Sequence, residues 1–265
     1  MRLAGDTAIT GYANPMPVDA RSTDISGSYL YVADAARGVE IFTLKGLPSA
    51  EREFDLSQPG APFRIETSED FIYVASGAKG VRVLWICPCG PLSQKTLFED
   101  NIYARDIAVK DSLIFAADLK AGIRVFNIWD STHKHTKLTP LALYEGVVSP
   151  QDIMLSGDVL WVADSVGALI ALDVSDPLSP RQLSFTLLQT RPYGLTMVDE
   201  TVYVACGEDG VLPVDVKVPD NPKIGNYIHT PGRALSVAVS ADYLGVADYT
   251  SVMLIPLDSL EIKGW

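Results

Sequence analysis

Trp161-Val162-Ala163-Asp164 is one of six near-copies of a single short segment. The others are Tyr31-Val32-Ala33-Asp34, Tyr73-Val74-Ala75-Ser76, Phe115-Ala116-Ala117-Asp118, Tyr203-Val204-Ala205-Cys206 and Gly245-Val246-Ala247-Asp248. Their alanines stand at 33, 75, 117, 163, 205 and 247, so the spacings are 42, 42, 46, 42 and 42 residues. A fixed period of this length marks a repeat architecture and takes precedence over local assignment.

Working outward, each copy sits in the same grammar. A short alternating stretch precedes it, as in Asp106-Ile107-Ala108-Val109 or Ser236-Val237-Ala238-Val239, followed by a polar turn such as Lys110-Asp111-Ser112. After it comes a tight turn with glycine at 38, 80, 122, 167 or 210, and the last unit lacks that glycine. A third apolar stretch follows (Val39-Glu40-Ile41-Phe42, Ile123-Arg124-Val125-Phe126), then a loop and a fourth stretch, clearest in Pro222–Tyr227. Val, Ile and aromatic runs punctuated by Gly, Pro and Asp read as antiparallel strands. Four of them in about 42 residues make one β-propeller blade. The expected fold is therefore all-β: a six-bladed β-propeller of four-stranded antiparallel blades, with residues 1–265 as a single domain. The last unit stops after its third strand, at Leu254-Ile255-Pro256-Leu257, and Ala8-Ile9-Thr10-Gly11-Tyr12 looks like Lys223-Ile224-Gly225-Asn226-Tyr227. The N-terminal strand is thus expected to close the ring as the outer strand of the last blade, removing exposed sheet edges. Unit three is four residues longer than the rest. The excess falls within Trp129–Thr139, an exposed loop carrying Trp129, His133 and His135 as candidate contact residues.

Composition narrows function. The chain is 48% hydrophobic with a net charge of −12, which argues against disorder. Clustered Lys/Arg for phosphate neutralisation is not expected in so acidic a chain, so no nucleic-acid partner is expected. No run of about 18 apolar residues is present, so no membrane span is expected. The start Met1-Arg2-Leu3-Ala4-Gly5-Asp6 has no apolar core of a signal peptide; a cytoplasmic protein and a trimmed part of a longer exported chain both fit. Cys87-Pro88-Cys89 has one intervening residue, unlike a zinc knuckle or a redox pair, and Cys206 stands apart. No metal and no cofactor are expected.

The units resemble the LVIVD repeat family of β-propellers. The match is carried by Ala104-Arg105-Asp106-Ile107-Ala108-Val109, by the aromatic-Val-Ala-Asp segment, by Leu172-Asp173-Val174-Ser175-Asp176-Pro177 with Ser179-Pro180, and by Gly232–Val239. It covers residues 18–257 and is closest in units three to six. Units one and two depart after their third strands, where Leu44-Lys45-Gly46 and Ile86-Cys87-Pro88 leave the fourth strand open. The resemblance implies a surface-associated propeller of extracytoplasmic or cell-surface location and carries no catalytic motif.

In such a ring one face gathers the turns after the second strands and the links into the first strands. That face would hold the turn acids Asp34, Asp118, Asp164, Asp248, Glu208 and Asp209, and Arg21, Arg64, Arg105, Arg191 and Arg233. A turn-start Asp is expected to bond its own backbone. Asp106 and Asp152, beside the channel mouth, are expected to form ion pairs between blades. The candidate binding surface at the mouth is Arg21, Arg64, Arg105, Asp106, Asp152, Tyr193 and Arg233. The chain has three histidines, none in an inner strand, and no nucleophile elbow or phosphate loop. The expected function is a non-enzymatic scaffold that binds other proteins. The alternative is a hydrolase or lyase working at the channel mouth.

Overall fold

The computed structural model describes residues 12–14, 19–44, 49–56, 61–68, 71–85, 96–99, 102–128, 138–240, 242–249 and 251–260. They fall into two compact units. One comprises the described residues through Ile107 together with Leu138. The other comprises Ala108–Ile128 and the described residues from Thr139 onward.

In the first unit, one sheet holds β1 (Tyr12–Asn14), β2 (Ala20–Ser26), β3 (Tyr29–Asp34), β4 (Gly38–Thr43) and β5 (Ser49–Leu56) in the order β1-β5-β4-β3-β2. A second holds β6 (Arg64–Thr67), β7 (Phe71–Ala75), β8 (Val81–Trp85) and β9 (Thr96–Glu99) in chain order. Both are antiparallel meanders except at β1. Tyr31, Ala33, Val39 and Ile41 of the first sheet pack on Ile65, Ile72, Val74 and Leu84 of the second.

The division between units runs through β10 (Ala104–Lys110), whose sheet continues with β11 (Leu113–Asp118), β12 (Gly122–Asn127) and β13 (Thr139–Tyr144). The second unit then forms β14 (Pro150–Ser156), β15 (Val159–Asp164), β16 (Ala168–Asp173) and β17 (Arg181–Leu187). Next come β18 (Gly194–Val198), β19 (Thr201–Ala205), β20 (Val211–Asp215) and β21 (Lys223–Ile224). Last are the three strands β22 (Ser236–Val239), β23 (Tyr243–Ala247) and β24 (Val252–Pro256).

The packing explains the repeated segment. Leu160 and Val162 of β15 face Phe115, Ile123 and Val125. Trp161 and Ala163, on the opposite face, meet Val202, Val204 and Leu212. A strand buried on both faces reads as a continuous apolar run instead of an alternating one. Tyr203, Ala205 and Val211 in turn pack on Val237, Leu244 and Val246. The last sheet buries that face alone: Tyr243, Val252 and Leu254 on its other face are 39%, 75% and 53% exposed.

The Asp-Val-Ser-x-Pro stretch also has a local cause. Asp173 Oδ1 accepts hydrogen bonds from the Ser175 N–H (3.0 Å) and Ser175 Oγ (2.7 Å), and Oδ2 accepts from Arg181 Nη2 at 2.8 Å. These bonds, those from Ser175 foremost, hold the Asp173 carboxyl below the usual carboxylate range. The turn leads β16 into β17.

One open point is settled, one expectation is not met by the described residues, and one agrees with the structure. The fourth strands left open in the first two units exist as β5 and β9. The described N-terminal strand does not lie on the last sheet: β1 runs parallel to β5, with Tyr12 opposite Ser49, while Ala8–Gly11 fall outside the described residues. The extra length of unit three lies between β12 and β13, where residues 128–138 make eleven against seven (174–180) between β16 and β17.

Candidate functional site

Four central strands end in, or lead directly into, a buried aspartate, and the geometry makes each a structural acceptor. Asp34 Oδ1 accepts from the N–H groups of Ala36 (2.8 Å) and Arg37 (2.9 Å), and Oδ2 from that of Asp19 (3.1 Å). Asp164 accepts from the N–H of Val166 (3.2 Å), Ser149 (3.1 Å) and Val148 (2.7 Å). Asp248 accepts from the N–H of Ser251 and Gly232, both at 2.9 Å, and Asp118 from the Lys120 N–H (3.0 Å) and Arg124 Nε (2.8 Å). In three of the four, the carboxylate closes its own turn and also ties down the segment entering the first strand. Buried charges persist when bonded in this way.

The second and fifth sheets turn differently, through Ser76-Gly77 and Cys206-Gly207. Here backbone replaces carboxylate: Gly77 exchanges two N–H···O bonds with Ala104 (2.9 and 3.0 Å), and Gly207 does the same with Ala234 (2.9 Å each). Both glycines have positive φ, +53° and +62°, and a ring rests on each. A Cβ on Gly77 would lie 2.8 Å from Phe63 Cε2, and one on Gly207 3.0 Å from Tyr193 Cε2.

The arginines gather on these rings. Arg21 and Arg105 lie 4.5 and 4.7 Å from the Phe63 centroid, with the Tyr103 ring 6.2 Å from Phe63. Arg191 and Arg233 lie 5.3 and 6.0 Å from the Tyr193 centroid, and Arg233 Nη2 donates to Tyr193 Oη at 3.3 Å. These four arginines do not neutralise the turn aspartates. Among the described residues Arg105, Arg191 and Arg233 make no ion pair, and Arg21 meets only the exposed Asp19, at 3.3 Å. Arg64 is the exception, 3.5 Å from both Asp106 and Glu66.

The first strands are latched to one another by side chains. Ser22 Oγ accepts from the Ile65 N–H (3.3 Å), and Asp24 Oδ2 from the N–H and Oγ1 of Thr67 (2.7 Å each). Asp152 Oδ2 accepts from the Leu195 N–H at 2.6 Å. Each N–H latch spans 43 residues, from one sheet to the next. Asp106 thus joins neighbouring sheets through an ion pair, as expected, whereas Asp152 does so through a backbone N–H. Beside them Glu66 is pushed up to about 7, chiefly by burial, with Asp106 and Asp24 adding to the shift and Arg64 opposing it.

Sequence reasoning brought Arg21, Arg64, Arg105, Asp106, Asp152, Tyr193 and Arg233 forward but missed Phe63, Asp24 and Glu66. Phe63 had a signal: Pro62-Phe63 stands 130 residues before Pro192-Tyr193. Trp129, His133 and His135 lie outside the described residues, as do Cys87 and Cys89. Burial pushes the Cys206 thiol up to about 12, so it serves as core and not as a nucleophile. Among the described residues no three His, Cys, Asp or Glu side chains group as metal ligands, and no helix is long and apolar enough to cross a membrane.

The LVIVD repeat model matches residues 18–41, 149–185 and 231–255, so three stretches of the chain are similar to this repeat. The matches fall in the first, fourth and sixth sheets and do not run from the third sheet onward. No curated protein matches the chain. Among solved structures it is similar to the β-propeller domain of Cps50 (Swd1) from Myceliophteria thermophila, with TM-score 0.73, 10% identity, and coverage of 89% of this chain and 82% of that one. The computationally designed Ika8 protein is also similar, with TM-score 0.67, 9% identity, and coverage of 89% and 70%. At such identities the likeness shows the fold: a β-propeller.

Proposed function

We propose that this LVIVD-repeat propeller is a non-enzymatic scaffold for protein–protein contact in a surface-associated or periplasmic assembly. Its contact surface is the end at which the first strands begin, with Arg21, Arg64, Arg105, Asp106, Asp152, Tyr193 and Arg233. The observation that supports this reading is the set of arginines without carboxylate partners, stacked on Phe63 and Tyr193 in a chain of net charge −12. Arginine and tyrosine dominate binding hot spots. Asp106 and Asp152, engaged in ties between sheets, position that surface. The same reading takes the whole chain as one domain of six blades. On that reading the ring is closed from the N-terminal side at the three-stranded sheet β22–β24, whose open face exposes Val252 and Leu254.

The test is Arg105→Ala with Arg233→Ala, measured for melting and for affinity to the partner recovered by pull-down from native extract. Loss of hot-spot contacts weakens binding by about 2 kcal/mol or more, with melting little changed, because exposed charges contribute only about 0–1 kcal/mol to stability. Unchanged affinity with lowered melting would assign these arginines to structure.

One observation favours a second reading, a hydrolase or lyase. Glu66, raised to about 7 and 3.5 Å from Arg64, has the proton affinity of a general base. Turnover of esters or polyuronides abolished by Glu66→Gln would establish it.

A further inference from the structure

We infer that the Phe63 cluster is a receptor for the carboxylates of an acidic peptide, and that its Tyr193 counterpart is not; this deepens the scaffold reading and rests on it. The two clusters share one construction at a 130-residue offset: Phe63 and Tyr193, Gly77 and Gly207, Ala104 and Ala234. They differ in charge. The turn beneath Phe63 reads Gly77-Ala78-Lys79-Gly80, and the one beneath Tyr193 reads Gly207-Glu208-Asp209-Gly210, with both central residues exposed in each. The Tyr193 cluster therefore carries two acids of its own in its turn, and Asp209 already accepts from Thr190 Oγ1 at 2.5 Å. The Phe63 turn carries a lysine instead, and among the described residues Lys79 has no ion pair.

Arg21 and Arg105 share one ring, at 4.5 and 4.7 Å from its centroid, so two like charges border the same aromatic side chain. Asp19, on the solvent side, offsets one of them. A guanidinium stacked on a ring keeps its edge N–H fork for a planar anion, and bidentate carboxylate pairing matches that fork. Phe63 and Tyr103, both partly exposed, offer an apolar floor for the peptide's neighbouring side chains. A nucleic acid would need a basic track along its backbone. A compact pair of arginines plus one lysine suits one or two carboxylates.

The test uses fluorescein-labelled hexaglutamate, read by anisotropy against the full chain. Saturable binding is expected at low salt, weakening as ionic strength rises toward about 0.2 M. Arg105→Gln and Arg21→Gln should each weaken it about tenfold, while Arg191→Gln leaves it unchanged. Ala78→Glu with Lys79→Asp gives this turn the acids of its counterpart. Both positions are exposed, so the variant keeps its fold and should lose binding even if an arginine variant does not fold. Four results would overturn the inference: no binding at low salt, equal binding by the turn variant, equal loss with Arg191→Gln, or a single-stranded oligonucleotide binding the same arginines more tightly than hexaglutamate. Failure of hexaglutamate with the native partner still dependent on Arg105 and Arg233 would remove only this inference. Failure of both would remove the scaffold reading too.

Discussion

Glu66 is where a single side chain feels several sheets at once. It stands in β6 and faces Arg64 on its own strand, Asp24 from β2 of the sheet before and Asp106 from β10 of the sheet after. Its folded-state pKa lies near 7, above the ordinary 4.5, so the folded protein holds this proton more tightly than the unfolded chain. The resulting stability is fully present below about pH 4.5 and is lost as pH rises through about 7. Glu66→Gln keeps the neutral form at every pH. The variant should therefore gain on wild type between pH 4.5 and 8, by roughly 1–3 kcal/mol, as read by urea unfolding of both proteins at each end. A difference that stays flat across that range would show that Glu66 titrates normally. The same residue shows why part of the site was not legible. Arg105 and Tyr193 announce themselves by type and place, whereas the character of Glu66 comes first from burial and then from acids 42 residues before it and 40 after it, all of which only the fold supplies.

Among the elements, the turn after the central strand was the most legible, because a glycine recurs at the same offset in four of the six units and one place early in a fifth. Its physical cause is clearest at Gly122, with φ +107°, where a Cβ would run into the backbone carbonyl oxygen of Tyr144 in the outer strand. Gly157 also has positive φ, +60°, but nothing lies within 4 Å of its Cβ position. Gly122→Ala should therefore cost about 3 kcal/mol or more, from strain plus collision, and Gly157→Ala about 1 kcal/mol from strain alone. Parallel denaturant titrations separate the two, and equal losses would mean that the outer strand gives way freely. The outer strands themselves were the least legible elements. Their pairing shifts register beside Ile41/Phe42, Val125/Phe126 and Ala171/Leu172. A bulge breaks the two-residue alternation by which a strand is recognised in sequence, and β5 and β9 lack the Asp-Val-Ser-x-Pro approach as well.

For the whole molecule, the number of sheets could be counted from six alanines, whereas closure of the ring from the N-terminal side is a proposal that a truncation tests. Deleting residues 1–11 while keeping Tyr12–Asn14, and with it the pairing to β5, isolates that question. The truncated chain should melt several degrees lower and self-associate through the uncovered edge of β24, by calorimetry and sedimentation. An unchanged melting temperature in a monomer would rule out closure by those residues. The latches between first strands have a consequence of another kind. The amides of Ile65, Thr67 and Leu195 are bonded to side chains one sheet back, outside any ladder. Their exchange with deuterated solvent therefore clocks the parting of neighbouring sheets, while the ladder amides of β7 or β19 clock the unravelling of a single sheet. Backbone protons of one type thus become two separate gauges: one of how the sheets hold together internally, and one of how they hold on to each other.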